Sequence, residues 1–265
     1  MKASDAAGRL ADGRLAWQTT YRIRFDEAGP DGLLRTSGFM RFAQDLAWQH
    51  SADLGFGRAW YAERGLTWLV RAAELVVHAA PAMGSVVTAR TAIVGIRRVF
   101  ARRRGELLLA DGTPAGWVHT DWVLIDERGA LTTIPAIFPE TFGGTDAMGR
   151  GGRVPLYPPP GDAIRHRFVV RPHELDPMGH ANNAVYLDWL EEAILAAGGP
   201  VGGNGPRRYR MEFAIAVVAG EALEGAAWRD DSGWSYRLAG ADGGPDRFRA
   251  HVARGEPAEQ KSPKR

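Results

Sequence analysis

The sequence predicts an α+β protein built from two similar halves, each with one long helix and an antiparallel sheet. Three observations predict this fold class. Two amphipathic helical patterns occur at a constant offset, a short strand-like segment precedes each helix, and about four strand-like segments follow it. Short turns between strands favour antiparallel pairing, and a helix with a broad apolar face must bury that face against the sheet.

The two helical patterns define the repeat. Each has apolar residues at positions i, i+3, i+4, i+7 and i+8, the spacing of one helix face. In the first half these residues are Phe39, Phe42, Ala43, Leu46 and Ala47, and in the second half they are Tyr186, Trp189, Leu190, Ala193 and Ile194. The same offset pairs a strand-like segment at residues 21–25 with one at residues 168–172.

The segments after each helix predict two four-stranded meanders. The predicted strands are residues 67–78, 85–96, 99–109 and 115–125 in the first half, and 208–218, 222–229, 234–239 and 247–253 in the second. Turn sequences such as ADGTP and DDSG separate them. Two such halves in tandem can join at their sheet edges, which would protect strands that are otherwise exposed.

Glycine and proline content predicts the domain boundaries. Residues 149–163 read GRGGRVPLYPPPGDA, which can hold no long regular element, and the polar C-terminus is expected to be disordered. We therefore predict an N-terminal domain at 1–145, a linker at 146–163, a C-terminal domain at 164–254 and a tail at 255–265.

Composition excludes several classes of protein. The chain has 265 residues, 45% hydrophobic, with a formal net charge of +2 and no cysteine. Absent cysteine excludes disulfides, thiolate metal sites and a cysteine nucleophile. The sequence contains no apolar run long enough to predict a membrane span. The charged N-terminus disfavours a signal peptide. The small net charge gives no reason to expect nucleic acid as a partner. We expect a cytoplasmic protein without a metal or another cofactor.

The segment DPMGHANN, residues 176–183, stands just before the second helical pattern. It can be read simply as a turn followed by an asparagine N-cap, at Asn182 or Asn183. It can also be read as a reaction centre. Helix N-terminal amides would stabilise an oxyanion, Asp176 would act as general base or nucleophile, and His180 would orient a carbonyl.

The repeat separates these two readings. The equivalent first-half segment GPDGLLRT, residues 29–36, keeps the proline and glycine of the turn. It has Gly29 in place of Asp176 and Leu33 in place of His180. If the segment performs chemistry, only the second half does so.

The segment ELDPMGHANNAVYLDWLEEA resembles the D-x-x-x-H-x-N-N-x-x-Y motif of the fatty acyl-ACP (acyl carrier protein) thioesterases. The first half, with its ending WVLIDERGALTTIP, resembles the non-catalytic domain of that family. The resemblance covers residues 21–253 and implies a double hot-dog fold. It also implies hydrolysis of a fatty acyl thioester on acyl carrier protein during fatty acid biosynthesis, with the acyl chain bound by the N-terminal domain.

The resemblance assigns roles to six residues. The implied catalytic residues are Asp176, His180 and Asn182, and the implied substrate-binding residues are Gly179, Asn183 and Tyr186. Two positions depart from the family pattern. Met178 replaces an asparagine, and the acid expected on the strand after the helix falls at Ala216. A simpler mechanism, in which one aspartate and the helix N-terminus do most of the work, is one consequence.

Five arginines lie within residues 96–104, namely Arg97, Arg98, Arg102, Arg103 and Arg104. Such a run is usually a solvated face, but the resemblance favours a docking surface for the acidic carrier protein. The run would also suit the phosphates of coenzyme A. The tryptophans near predicted core elements are expected to pack, and some to line an acyl tunnel. Glu191 and Glu192 are expected to face solvent.

Several alternatives stay open. The chain can be an acyl-CoA hydrolase of the same superfamily, or a protein that binds an acyl thioester without cleaving it, while a dehydratase fits the motif less well. The sequence has no G-x-S-x-G elbow and no P-loop. It does not decide between a monomer and a homodimer.

Overall fold

A computed structural model describes residues 7–142, 154, 158–202 and 205–254. The helices are α1 (Thr36–Asp53), α2 (Arg58–Ala62), α3 (Ile137–Phe142) and α4 (Val185–Ala196). The strands are β1 (Ala7–Arg9), β2 (Leu15–Arg22), β3 (Thr67–Val77), β4 (Val86–Arg97), β5 (Phe100–Leu108), β6 (Pro114–Ile125), β7 (Ile164–Val169), β8 (Arg207–Phe213), β9 (Ala222–Asp230), β10 (Gly233–Gly240) and β11 (Asp246–Arg254).

All eleven strands form one antiparallel sheet in the order β1-β2-β4-β5-β6-β3-β8-β11-β10-β9-β7. The order β2-β4-β5-β6-β3 of the first half is repeated in the second half as β7-β9-β10-β11-β8. The halves meet where β3 pairs with β8, with Ala72 opposite Glu212 and Val77 opposite Arg207. Edge pairing thus joins the halves as expected, because each covers a strand edge that the other would leave exposed.

The two long helices pack on this sheet and touch each other. α1 contacts strands β2 to β6, and α4 contacts β7, β9 and β10. Both helices contribute to one apolar core, in which Phe39, Leu46, Leu187 and Leu190 are fully buried. The predicted α+β double hot-dog is confirmed.

Strand ends differ from the prediction in both halves for the same reason. β2 and β7 end at Arg22 and Val169, and short 3-10 turns at Phe25–Glu27 and Pro172–Glu174 follow them. The Glu27 carboxylate accepts the amide of Arg24 at 2.8 Å, and Glu174 accepts that of Arg171 at 2.6 Å. These local bonds turn the chain out of each strand three residues before its predicted end.

β8 is shorter than predicted. It ends at Phe213 instead of Val218, because the amides of Ala214 and Ile215 both donate to the Arg247 carbonyl, at 2.8 and 3.2 Å. Two donors on one acceptor break the regular strand pairing. The chain leaves the sheet there and forms part of a cavity wall described below.

Three elements had no counterpart in the predicted pattern: β1, α2 and α3. Helices α2 and α3 cap one end of the first half with a separate apolar cluster that includes Phe56, Leu124 and Phe138. Most of the predicted linker at 146–163 and all of the tail at 255–265 lie outside the described residues. None of the helices within the described ranges has the length and apolar character needed to cross a membrane.

Candidate active site

The second-half loop (residues 176–183) and the first-half loop (residues 29–36) share one backbone conformation. In the second-half loop the amide of Asp176 donates to the His180 carbonyl at 2.8 Å, and in the first-half loop Gly29 donates to Leu33 at 2.8 Å. The glycine at the fourth position has a φ of +81° in Gly179 and +74° in Gly32. The turn is therefore a property of the repeat and needs no catalytic role to explain it.

The helix that follows begins later in the second half. α1 begins at Thr36, which corresponds to Asn183, whereas α4 begins only at Val185. The Asn182 side chain accounts for the delay, since its Oδ1 accepts the amide of Ala184 at 2.9 Å. The N-cap is Ala184, so the expectation of an asparagine N-cap is wrong by one or two residues.

Among the described residues, the entrance of each long helix has an unused backbone donor, at Thr36 of α1 and at the equivalent Asn183 before α4. Within the described part of the chain, the amide N–H of Asn183 reaches no acceptor. It lies at the positive end of α4, where a developing negative charge is favoured. Asn183 also lines the cavity, so this N–H group is placed to bind an oxyanion.

The Asp176 carboxylate is half-buried, and one of its two oxygens already accepts a hydrogen bond. Its Oδ1 accepts the amide of Met178 at 2.8 Å, while Oδ2 reaches no donor among the described residues. The first-half loop makes the corresponding bond two residues later, from the amide of Leu33 to Asp31 at 3.0 Å. Asp31 is the equivalent of Met178. A methionine is tolerated there because Asp176 itself supplies the turn's side-chain acceptor.

A cavity of about 1230 Å³ links the second-half loop to the interior of the first half. Its wall is formed by residues of neighbouring strands β8, β3, β6, β5 and β4 and by one side of α1. Residues of α2 and α3 close it. Aromatic and aliphatic side chains line much of it: Trp48, Phe56, Trp68, Val70, Ile93, Trp122, Phe138 and Phe213.

Five of the six predicted site residues meet at one end of this cavity: Asp176, His180, Asn182, Asn183 and Tyr186. Tyr186 is buried at the base of the site, edge-on to Phe213 at 5.3 Å, and burial raises its pKa so that the phenol stays neutral. Gly179 is exposed and lies outside the cavity wall. Its φ of +81° is the left-handed conformation that the turn requires and that glycine adopts without steric cost.

The strand after α4 supplies no second acid to the site. Ala216 lines the cavity with a methyl group. The nearby acids are already paired, Glu221 with Arg247 at 2.8 Å and Glu212 with Arg71 at 3.2 Å. Asp176 is therefore the only carboxylate that the second-half loop and its following strand place on the described cavity wall.

The five arginines predicted as one docking surface separate in the structure. Arg97 and Arg98 are exposed at the β4–β5 turn. Arg102 binds Asp121 through two bonds of 2.6 and 2.7 Å, and Arg104 binds Glu106 at 2.7 Å. Arg103 is only 6% exposed and lines the cavity, so the docking hypothesis does not extend to it.

Sequence reasoning missed some polar residues of the site. Arg41 and Arg71 line the same cavity as the second-half loop, although neither belongs to a motif or a charge run. Glu191 was expected to face solvent, and this is wrong. It accepts hydrogen bonds from Thr36 at 2.7 Å and Tyr209 at 2.6 Å and so links α4 to the start of α1. Glu192, as expected, is exposed.

Comparison with known protein families shows which family the chain belongs to. Residues 14–134 match the family model described as the acyl-ACP thioesterase N-terminal domain, and residues 157–225 match that of the C-terminal domain. The two matches together cover well over half of the chain, in the expected order. The chain belongs to the acyl-ACP thioesterase family. The second match contains the whole second-half loop.

A curated relative supports membership of the acyl-ACP thioesterase family. The chain is 28% identical, over 204 residues, to the chloroplastic acyl-(acyl-carrier-protein) hydrolase FATB2 of Cuphea viscosissima. The match covers 70% of this chain and 49% of the relative, so the chain spans about half the length of that protein.

Two solved structures share the fold of this acyl-ACP thioesterase family member. An acyl-ACP thioesterase from Bacteroides thetaiotaomicron superposes with a TM-score of 0.76 at 14% identity, covering 96% of this chain and 99% of that one. The 12:0-ACP thioesterase from Umbellularia californica superposes with a TM-score of 0.74 at 20% identity, covering 90% and 96%. At these identities the likeness establishes a common fold.

Proposed function

We propose that this protein hydrolyses fatty acyl-ACP to free fatty acid and acyl carrier protein, as a cytoplasmic enzyme of fatty acid biosynthesis. The observation that carries the proposal is that the second-half loop and an apolar cavity adjoin each other. The loop with Asp176 and His180 lines a largely apolar cavity of about 1230 Å³ that extends into the first half. A thioester carbonyl at this loop would have its acyl chain extending into the first half.

Asp176 would supply the base. Its Oδ2 is available to accept a proton from water, while Oδ1 is held by the amide of Met178. The resulting hydroxide would attack the thioester carbonyl carbon, and the collapsing intermediate would expel the thiolate, which takes the proton back from Asp176. Direct attack by the carboxylate, through a transient anhydride, needs the same placement.

His180 and the start of α4 would handle the carbonyl oxygen. His180 lines the cavity beside Asp176 and would orient the carbonyl for attack. The amide of Asn183, which has no acceptor among the described residues, would donate to the oxyanion, and Asn182 would position it by fixing the start of α4 at Val185. Tyr186 would form the buried floor of the site.

The carrier would deliver the thioester from outside the cavity. Arg97 and Arg98 remain exposed for docking, whereas the charges of Arg102 and Arg104 are balanced by Asp121 and Glu106. An acyl-CoA substrate is the second candidate. The two candidates are distinguished by attaching the same acyl chain to acyl carrier protein or to coenzyme A and comparing kcat/KM for the two substrates.

The proposal is tested by replacing Asp176 with asparagine. Asp176→Asn keeps an acceptor for the Met178 amide but removes the base, so we expect release of free thiol from acyl-ACP to fall by roughly 10²- to 10⁴-fold. The matched control is Asp31→Asn on the first-half loop, which should retain full turnover. Equal melting temperatures would show that both variants fold.

Near-normal turnover of Asp176→Asn would contradict the proposed chemistry. Tight binding of acyl-ACP by the wild-type protein without any release of thiol would instead indicate a non-catalytic acyl-binding protein. The thiol assay and a binding assay on the same preparation separate these outcomes.

A further inference from the structure

Away from the second-half loop, the cavity wall contains a buried arginine. Arg103 lies on β5, is 6% exposed and lines the cavity together with Ser51 and Tyr61. The strands between it and the catalytic end follow in the order β8, β3, β6 and β5. At about 4.8 Å per strand, Arg103 is roughly 14 Å across the sheet from β8.

Among the residues that the structure describes, Arg103 has only neutral partners. Its Nη1 is 2.9 Å from Nδ1 of His50 and 3.3 Å from the Thr91 hydroxyl, and its Nη2 is 3.5 Å from Oγ of Ser51. Burial, helped by the Arg103 charge, lowers the pKa of His50 to about 3, so this histidine is a neutral acceptor at physiological pH. No carboxylate of the described residues pairs with Arg103.

The neighbouring arginines of the same strand show that the lack of a carboxylate partner is unusual. Arg102 and Arg104 each have a carboxylate partner within 2.7 Å, namely Asp121 and Glu106. Burial lowers the pKa of Arg103 to about 10, which still leaves the guanidinium protonated at neutral pH. A buried charge without a counter-ion is costly, and a methyl-ended acyl chain beside it would leave that cost in place.

Two further donors surround the same part of the wall. The Tyr61 oxygen accepts the indole N–H of Trp68 at 3.1 Å, which leaves the Tyr61 hydroxyl proton for another acceptor. Ser51 brings a second hydroxyl from the last turn of α1. Guanidinium and hydroxyl donors converging on one place suit an anionic oxygen group, and a carboxylate fits a guanidinium particularly well.

We propose that the acyl group accepted by this cavity ends in a carboxylate, bound by Arg103, Ser51 and Tyr61. The substrates would thus be ω-carboxyacyl thioesters, the monothioesters of dicarboxylic acids. This inference rests on the proposed function for its reaction but not for its binding site. The ω-carboxylate supplies the counter-ion that none of the described residues provides.

The test compares two acyl-ACP substrates of equal chain length, one ending in a methyl group and one in a carboxylate. Wild type should show at least about a tenfold higher kcat/KM for the carboxylate-ended substrate, the size expected of a charge-assisted hydrogen bond. Arg103→Leu should reverse the preference, and Arg103→Lys should retain part of it. Arg90→Leu is the control. Arg90 bonds Gln18 at 3.1 Å outside the cavity wall, so its loss should leave the ratio unchanged.

Equal or better use of the methyl-ended substrate by wild type would overturn the proposal, whether or not Arg103→Leu folds. If wild type releases thiol from neither substrate, the proposed hydrolysis fails and binding decides. Calorimetry then compares a free dicarboxylic acid with the monocarboxylic acid of equal length. Tighter binding of the dicarboxylic acid that Arg103→Leu or Arg103→Lys weakens would support the site, and equal affinity would refute it.

Discussion

The two loops at the helix entrances have one backbone and different chemistry. Both use the same main-chain bonds and the same left-handed glycine. The first-half loop has Gly29 and Leu33 where the second-half loop has Asp176 and His180. The comparison shows that the turn is a structural feature of the repeat, and that the two copies differ in the side chains they carry.

The helices that follow the loops differ in a related way. In the first half, Thr36 is already helical, and its hydroxyl bonds Glu191 at 2.7 Å across to α4. In the second half, the Asn182 side chain takes the amide of Ala184, and α4 begins two positions later. The hydroxyl at one helix entrance therefore links the two halves, whereas the asparagine side chain at the other sets where its helix begins.

The largest effect is expected from giving the second-half loop the residues of the first. The double variant Asp176→Gly and His180→Leu keeps the main-chain bonds, so the protein should fold with at most about 1 kcal/mol of destabilisation from the lost bond to Met178. Release of thiol should fall to background, at least about 10³-fold, since base and carbonyl ligand are both lost. Retained turnover would show that the chemistry lies elsewhere.

A smaller effect is expected from the link between the halves. Glu191→Ala removes the acceptor of the Tyr209 hydroxyl, which is buried, and of Thr36. We expect a loss of about 2 kcal/mol in the free energy of unfolding, measured by urea titration. Gln44→Ala, the equivalent position on α1, makes no side-chain hydrogen bond among the described residues and should cost under about 0.5 kcal/mol. Equal losses would mean that the link contributes nothing specific.

The smallest effect concerns the shared glycine. A Cβ at Gly32 or Gly179 would meet no atom within 4 Å, so alanine at either position costs only the left-handed conformation. We expect about 1 kcal/mol for each variant in the same titration. Gly179→Ala should in addition lower kcat, because the loop carries Asp176, whereas Gly32→Ala should not. A difference in stability between the two would contradict the equivalence of the turns.

Much of the site could be predicted because its signals are local. Asp176, His180 and Tyr186 lie within one loop and the first turn of one helix, and the repeat showed that only the second half carries the aspartate and the histidine. The helix start was misplaced because Asn182 competes for a backbone amide, a choice that composition does not reveal. Glu191 was misread because its partners Thr36 and Tyr209 are distant in sequence.

By itself, the sequence determined the α+β class, the tandem repeat and the asymmetry between the loops, since hydrophobic period and turn residues act over short stretches. The tertiary structure decided which part of the molecule adjoins the second-half loop. Pairing of β3 with β8 brings the second-half loop against the first half and makes one continuous cavity. It also decided that Arg103, one of five similar arginines in sequence, faces that cavity as a buried charge, because only packing determines which side of a strand is covered.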